Sequence, residues 1–193
     1  MFFQVVDSDV DLRTDLDRAF PAFVRRHQDA VFSVALGMTG SRHDAEEAAQ
    51  EAFARAYRAL AGYDAGRRAA LLERPWLATI TLNVCRNLAR QRARRLATLP
   101  LHTLDGQEGA GPLVDDRPGP DEVASRDWWA DQVRRLPERY RAALVLRHVH
   151  GLSYDEAAEA LGRPAGTVKA QVHRAVALLR AAVERAAEEE DEA

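Results

Sequence analysis

The sequence has little of what stabilises a small secreted or metal-binding protein. It contains one cysteine, Cys85, so no disulfide can form within the chain. Its six histidines show no ligand spacing, because His148 and His150 lie two residues apart and diverge on a helix. We therefore expect no disulfide framework, no bound metal and no other cofactor.

The sequence also lacks the features of a membrane or exported protein. No stretch approaches the run of about 20 apolar residues that a membrane span requires. Residues 1–11 include an apolar patch but have neither the basic flank nor the length of a secretion signal. The composition, 47% apolar and 30% charged, is that of a globular domain. We expect a soluble cytoplasmic protein.

No pattern in the sequence is typical of catalysis. It has no glycine-rich phosphate loop, and its serines, histidines and acids do not recur in a nucleophile and base arrangement. Paired carboxylates occur only on one acidic helix. We expect that the protein is not an enzyme.

Charge is distributed unevenly along the chain, although the net charge is only −3. Residues 86–95, "RNLARQRARR", hold five arginines and no acid, whereas residues 188–192 are all acidic. A phosphate backbone responds to the local field rather than to the net charge. The net negative charge therefore does not exclude a nucleic-acid partner.

The hydrophobic spacing predicts an all-α protein of two small helical domains. Apolar residues recur every three or four positions, as on one face of a helix, and they do not alternate with polar residues as in a strand. Residues 99–122 hold four glycines and four prolines, a composition typical of a flexible linker. The predicted units are a first domain at 1–98, the linker at 99–122, a second domain at 123–185 and a disordered acidic tail at 186–193.

The second domain contains the pattern of a helix-turn-helix. Ser153 and Glu156 form a capping box that predicts a helix from Tyr154, and Gly162 is typical of its left-handed end. Pro164 suits the first position of the next helix. That helix has an apolar arc for packing and an opposite basic arc that either faces a DNA groove or is an ordinary solvated surface.

Residues 41–60 predict an amphipathic helix with an acidic face. Ser41 and Asp44 are the capping signal, and alanines with Phe53 and Leu60 form the apolar arc. The opposite face gathers acids that repel one another, so it is either simply solvated or used by a basic partner. That acidic cluster consists of Asp44, Glu47, Gln50 and Glu51.

Residues 74–96 predict a second amphipathic helix, with arginine and asparagine along one side. These side chains offer charge to phosphates and hydrogen bonds to bases, although a basic solvent face is the simpler alternative. Trp76 either stacks on an exposed base or packs in the core, the commoner role of a lone tryptophan near a helix start. The polar row consists of Thr79, Asn83, Arg86, Asn87, Arg90 and Arg94.

The order of these segments resembles the extracytoplasmic-function (ECF) sigma factors of bacterial RNA polymerase, which belong to the sigma-70 family. The likeness spans roughly residues 16 to 183 and implies sigma region 2 in the first domain and region 4 in the second. It departs at Ala48 and Ala49, where large aliphatic residues are usual, and at Ala170 and Gln171, where serine and arginine are common.

The resemblance implies three functional surfaces. The acidic helix would dock on the coiled coil of the polymerase β′ subunit, and the arginine and asparagine helix would melt the minus-ten element. The loop at 61–74 would help to form a pocket for a flipped base, and the last helix would read the minus-thirty-five element. The implied residues are Asp44, Glu47, Gln50 and Glu51 for polymerase; Trp76, Asn83, Arg86, Asn87, Arg90 and Arg94 for the minus-ten element; and Thr167, Lys169, Ala170, His173 and Arg174 for the minus-thirty-five element.

The partners implied by the resemblance are core RNA polymerase, promoter DNA and an anti-sigma protein, with no insertion of the chain into a membrane. Two other functions are considered. One is a free-standing helix-turn-helix regulator that binds an operator without polymerase, and the other is a helical scaffold that binds only proteins. The regulator assigns no task to the arginine and asparagine helix.

Overall fold

A computed structural model describes residue 12, residues 15–98 and residues 120–191. Within these ranges every regular element is helical, which confirms the predicted all-α class. The elements, in chain order, are α1 (Leu16–Thr39), α2 (Arg42–Ala61), α3 (Ala65–Ala69), α4 (Glu73–Thr98), α5 (Pro120–Arg135), α6 (Glu138–Leu144), a π-helical turn (Val145–Val149), α7 (Tyr154–Leu161) and α8 (Ala165–Asp191).

The helix ends follow the local capping signals. The Ser41 side chain accepts a hydrogen bond from the Asp44 backbone N–H and starts α2. Ser153 and Glu156 form the complete capping box of α7, and Gly162 ends that helix at φ +62°. Pro164 lies just before α8 rather than in its first turn, and its carbonyl accepts the first bonds of the helix.

The first half of the chain is built on α1, α2 and α4. The alanines on one face of α2, including Ala45 and Ala52, are fully buried. Small side chains there let the backbone of α2 approach its neighbours closely, so Phe23 of α1 and Leu82 of α4 fill the space between the helices. Ala48, where the family commonly has a large aliphatic residue, is part of this face and is also fully buried.

The second half of the chain packs α6, the π-helical turn, α7 and α8 together. The predicted apolar arc of α8 is confirmed, because Val168, Val172 and Ala175 are buried. Leu146 and Leu152 are also fully buried, and they belong to the same core cluster as Val168 and Val172. This packing leaves the opposite face of α8 at the surface.

The two halves share one buried cluster, in which residues of α1 and α4 lie with residues of α6, the π-helical turn and α7. At Gly37 of α1 the approach is so close that an added β-carbon would lie 2.8 Å from Cγ2 of Val145. Polar contacts also join the halves: Arg74 donates to the His150 carbonyl at 2.8 Å, and Thr79 to the Ala160 carbonyl at 3.2 Å. The halves therefore pack directly on one another.

Two predicted boundaries differ from the structure. The predicted linker at 99–122 lies outside the described residues except for 120–122, which form the start of α5, where proline is well suited to a first helical turn. The predicted disordered tail at 186–193 is wrong as far as Asp191, because α8 continues to that residue. Alanine and glutamate are strong helix formers, so hydrogen bonding of the backbone continues despite the acidic charge.

Candidate nucleic-acid interface

Three of the four residues in the predicted acidic cluster line one side of α2. Glu47 and Gln50 are exposed, and Glu51 is half-buried. Arg55 donates to the Glu51 carboxylate at 2.6 Å, and Arg58 at 3.4 Å. The hydrogen bond from Arg55 is the main cause of the lowered pKa of Glu51. Glu51 is thus held ionised by its own helix, whereas Glu47 presents its charge at the surface.

Asp44 differs from the rest of the predicted acidic cluster because it is buried. Its side chain is only 8% exposed, and both carboxylate oxygens accept hydrogen bonds from the guanidinium of Arg92 on α4. The spacing along α2 places Asp44 with the other acids, but its position in the first turn directs it toward α4. A carboxylate in this environment requires a partner, and Arg92 provides it.

The acidic face of α2 and the polar row of α4 meet along one open cleft. The cleft has a volume of about 420 Å³. Glu47, Gln50 and Glu51 line one side, while Asn87 and Gln91 line the other. The acidic face of α2 and the polar row of α4, which were predicted as separate surfaces, are therefore adjacent.

The predicted minus-ten residues on α4 divide into exposed and partly covered positions. Asn83, Arg90 and Arg94 are exposed. Arg86 is half-buried, and its Nε donates to the Glu138 carboxylate of α6 at 2.7 Å. Asn87 is also half-buried and accepts a hydrogen bond from Arg90 at 3.4 Å.

Trp76 lies where the predicted flipped-base loop meets α4. Its ring packs partly against the core, and its centroid is 6.2 Å from that of Tyr63. The Arg67 guanidinium stacks 3.9 Å from the centre of the Tyr63 ring. The predicted loop at 61–74 contains the short helix α3, whose N-cap is Asp64. Aromatic rings and a stacked arginine are groups on which an unpaired base can stack.

The predicted minus-thirty-five residues all lie on the open face of α8. Thr167, Lys169, Ala170, His173 and Arg174 are exposed. One neighbour of this face was not predicted: Arg163, in the turn before α8, donates to the Gln171 side-chain carbonyl at 3.1 Å. No local pattern in the sequence predicts this contact, because a turn separates the two residues.

A group of histidines and charges lies where α1, the start of α4 and the π-helical turn meet. The Glu73 carboxylate is 2.8 Å from Nε2 of His27, and this hydrogen bond is the main cause of the lowered pKa of Glu73. The side chain of His150 is buried, and neither ring nitrogen has a hydrogen-bond partner among the described residues. Burial first, and then the nearby charge of Arg74, lowers the pKa of His150. This histidine is therefore neutral near pH 7.

The remaining reactive group of interest is the thiol of Cys85, which is buried. Burial raises the pKa of the Cys85 thiol to about 11, so the reactive thiolate is scarce at neutral pH. In the described parts of the chain, no group of three or more histidine, cysteine or acidic side chains is placed to hold a metal ion. Within the same parts, none of the helices combines the length and apolar character that a membrane crossing needs.

Comparison with known proteins gives matches along most of the chain. Two family models match, "Sigma-70 region 2" over residues 23–95 and "Sigma-70, region 4" over residues 126–179. The ECF RNA polymerase sigma factor SigE of Mycolicibacterium smegmatis is 36% identical over 163 residues, which cover 81% of this chain and 58% of that protein. The ECF RNA polymerase sigma factor SigW of Bacillus subtilis is 32% identical over 173 residues, covering 84% and 87%. The solved structure of CnrH in complex with the cytosolic domain of CnrY is similar at a TM-score of 0.65 and 28% identity, covering 90% of this chain and 93% of that chain.

Proposed function

The chain belongs to the RNA polymerase sigma factors of the sigma-70 family, in the ECF class, and we propose that it binds core polymerase and directs initiation at specific promoters. The observation that carries this function is that a region 2 match and a region 4 match occupy successive parts of one chain. A free-standing regulator needs only the helix-turn-helix. It leaves unexplained the region 2 match over residues 23–95, so it is not favoured.

We propose that the exposed acids of α2 dock on a basic surface of the polymerase β′ coiled coil. Glu47 and Gln50 are exposed, and Glu51 borders the same cleft. Complementary charge at an interface accelerates association and selects the partner. Asp44 supports this surface indirectly, because its buried ion pair with Arg92 joins α2 to α4.

We propose that α4 holds the non-template strand of the melted minus-ten element. Separating the strands costs stacking energy, and a protein offsets this cost by binding phosphates and stacking unpaired bases. Arg90 and Arg94 are exposed toward the end of α4, and the aromatic pair Tyr63 and Trp76 lies near its start. The chain itself makes and breaks no covalent bond in this role.

We propose that α8 reads the minus-thirty-five element while α4 engages the minus-ten element. A helix in the major groove uses side chains such as Lys169 and Arg174 for base edges and phosphates. Because both DNA-contacting helices belong to one chain on one polymerase, the second contact becomes intramolecular and needs less intrinsic affinity. The domain limits assigned above, 1–98 and 123–185, remain part of this proposal.

We propose that the protein acts in the cytoplasm, where core polymerase and promoter DNA are found, and that an anti-sigma protein restrains it. The support for a restraining partner is that the similar protein CnrH was solved in complex with the cytosolic domain of CnrY.

Transcription reconstituted from core polymerase, promoter DNA and the chain tests this function. Replacing Arg90 and Arg94 together by alanine should abolish strand opening, detected by reagents specific for unpaired thymine, while capture of core polymerase is unchanged. Glu47→Lys should weaken the capture of core polymerase, and with it strand opening, because it inverts an exposed docking charge without disturbing the Glu51, Arg55 and Arg58 pairing.

Matched controls are available on α1, where Arg18 and Asp29 are exposed. Arg18→Ala and Asp29→Lys should leave polymerase capture and strand opening unchanged. If the chain supported no transcript with a defined start, or regulated a gene without joining polymerase, the proposed function would be wrong.

A further inference from the structure

The resemblance to the family implies an arginine at the position of Gln171, and the structure shows another arginine beside it. Arg163 lies in the turn between α7 and α8, and its Nη1 is 3.1 Å from Oε1 of Gln171. We propose that Arg163 contacts a DNA phosphate beside the minus-thirty-five face, and that Gln171 is the positioning residue that orients its guanidinium. This inference rests on the proposed function of α8 in DNA binding.

The position of Gln171 on α8 connects Arg163 to the predicted DNA-contacting face. On a helix, residues three and four apart are neighbours, so Gln171 lies next to Thr167 and Arg174. Both of these neighbours are exposed, whereas Gln171 is half-buried. The hydrogen bond therefore places the Arg163 guanidinium at one flank of the exposed face rather than over the apolar arc.

The turn itself holds the backbone of Arg163 in a defined place. Gly162 adopts a left-handed conformation, and the Arg163 N–H donates to the Ala158 carbonyl at 3.0 Å. Pro164 follows and restricts the backbone of the residue before it. Only the side chain remains to be oriented, and the single hydrogen bond that it donates to Gln171 limits its freedom.

The guanidinium of Arg163 has a different kind of partner from those of several other arginines. Arg86, Arg92 and Arg55 each form an ion pair with a carboxylate. The hydrogen bond of Arg163 is to a neutral amide, and in the described part of the chain no carboxylate lies within ion-pair distance of it. An amide carbonyl orients a guanidinium without neutralising it, and the other N–H groups of the fork stay available for phosphate oxygens.

A phosphate contact has a measurable signature that a base contact or a structural role does not share. Each neutralised phosphate contributes about 0.9 to the slope of log affinity against log salt concentration for duplex DNA. Losing one such contact should lower the magnitude of the slope by about one on any DNA sequence. When the salt concentration rises from about 50 to 200 mM, a variant without this contact should therefore lose roughly three- to fourfold less affinity than the unsubstituted chain.

The experiment measures binding of the full chain to a fluorescent duplex of mixed sequence over a salt series. Arg163→Ala should lower the slope by about one. Gln171→Ala should lower it by a smaller amount, and should add nothing in the Arg163→Ala background. The double variant Arg163→Ala with Gln171→Arg returns an arginine to the same flank and should restore the slope.

Two controls separate the failure of this inference from the failure of the proposed function. Lys169→Ala should lower the slope because it alters the DNA-contacting face itself, whereas Arg18→Ala on α1 should not. If Lys169→Ala lowered the slope and Arg163→Ala did not, the inference would be overturned and the function of α8 would stand. If neither Lys169→Ala nor Arg163→Ala lowered the slope, the inference and the proposed function of α8 would both be overturned.

Discussion

On α8 all five residues predicted to read the minus-thirty-five element are exposed, whereas on α4 three of the six predicted minus-ten residues are half-buried. The difference follows from what packs on each helix. On α4, Thr79 contacts α7 and Arg86 contacts α6 of the other half of the chain. Asn87 borders the cleft with α2, and Trp76 packs partly on the core. Within the described residues, no other helix packs on the exposed face of α8 in this way.

This comparison indicates that the two proposed DNA-contacting surfaces have different requirements. The proposed minus-thirty-five residues of α8 are already exposed while the two halves are packed together. Arg86 cannot hold the Glu138 carboxylate and a phosphate in the same geometry, so full use of α4 requires that its contact with α6 is broken. The residues near the end of α4, such as Arg90 and Arg94, are exposed in either case.

The largest expected effect comes from Gly37, where the two halves pack closely together. Gly37→Ala would place a β-carbon 2.8 Å from Cγ2 of Val145, which is fully buried. Overpacking of this kind costs about 1 to 3 kcal/mol, so the free energy of unfolding should fall and hydrogen exchange over residues 145–149 should rise. Binding of duplex DNA by α8 should be unchanged.

Gly166 provides the matched control for Gly37. It also lies in a helix, but nothing lies within 4 Å of a β-carbon placed there. Gly166→Ala should raise stability by up to about 1 kcal/mol, because alanine is the better helix former. Adding Val145→Ala to Gly37→Ala should relieve the clash, and strictly additive losses in the double variant would show that the two residues do not meet.

Much of the fold is predictable from the sequence because it depends on local signals. The capping box at Ser153, the left-handed Gly162 and the alanine face of α2 each act within one or two helical turns. The exposure of Glu47 and of the α8 face follows from the same helical periodicity.

The features that were not predicted depend on partners that are distant in the sequence. Asp44 is buried because Arg92, 48 residues away, reaches it from another helix. The packing of the two halves depends on Gly37 and Val145, and no local pattern connects them. The Arg163 and Gln171 contact crosses a turn, where helical periodicity is interrupted.

A smaller effect is expected from pH, through the buried His150. Its pKa is lowered by burial and by Arg74, with His27 adding to the decrease and Glu156 opposing it. Below the ordinary value of about 6.5, the unfolded chain takes up a proton that the folded chain does not, so stability should fall as the solution is acidified. The loss should be at most about 1.4 kcal/mol per pH unit, measured by denaturant unfolding between pH 7.5 and about 5.5.

The pH dependence should be traceable to one ring. His150→Phe keeps an aromatic side chain without a titrating group, so it should flatten the profile in this window. His148→Phe, at an exposed histidine two residues away, is the matched control for the substitution itself. An unchanged profile in His150→Phe would assign the loss to another group. Glu73 also has a lowered pKa, but its contribution is lost at more acidic pH, below the ordinary carboxyl value.

The smallest expected effect concerns the ion pair that covers part of α4. The Arg86 side chain is 23% exposed and that of Glu138 is 51% exposed, so solvent screens the pair and it contributes about 0.2 to 1 kcal/mol. Glu138→Gln removes the competing carboxylate, so the affinity of the chain for single-stranded DNA should rise by at most about fivefold. Fluorescence anisotropy with a labelled strand measures this change.

The gain in affinity must depend on Arg86 if the ion pair is its cause. In an Arg86→Gln background, Glu138→Gln should therefore produce little change beyond the small general effect of removing a negative charge. Glu46→Gln measures that general effect, because Glu46 pairs with Arg42 within α2. If Glu138→Gln and Glu46→Gln raised the affinity equally, the Arg86 pair would not limit strand binding. The lower exposure of α4 relative to α8 would then matter only through the apolar packing of the two helices.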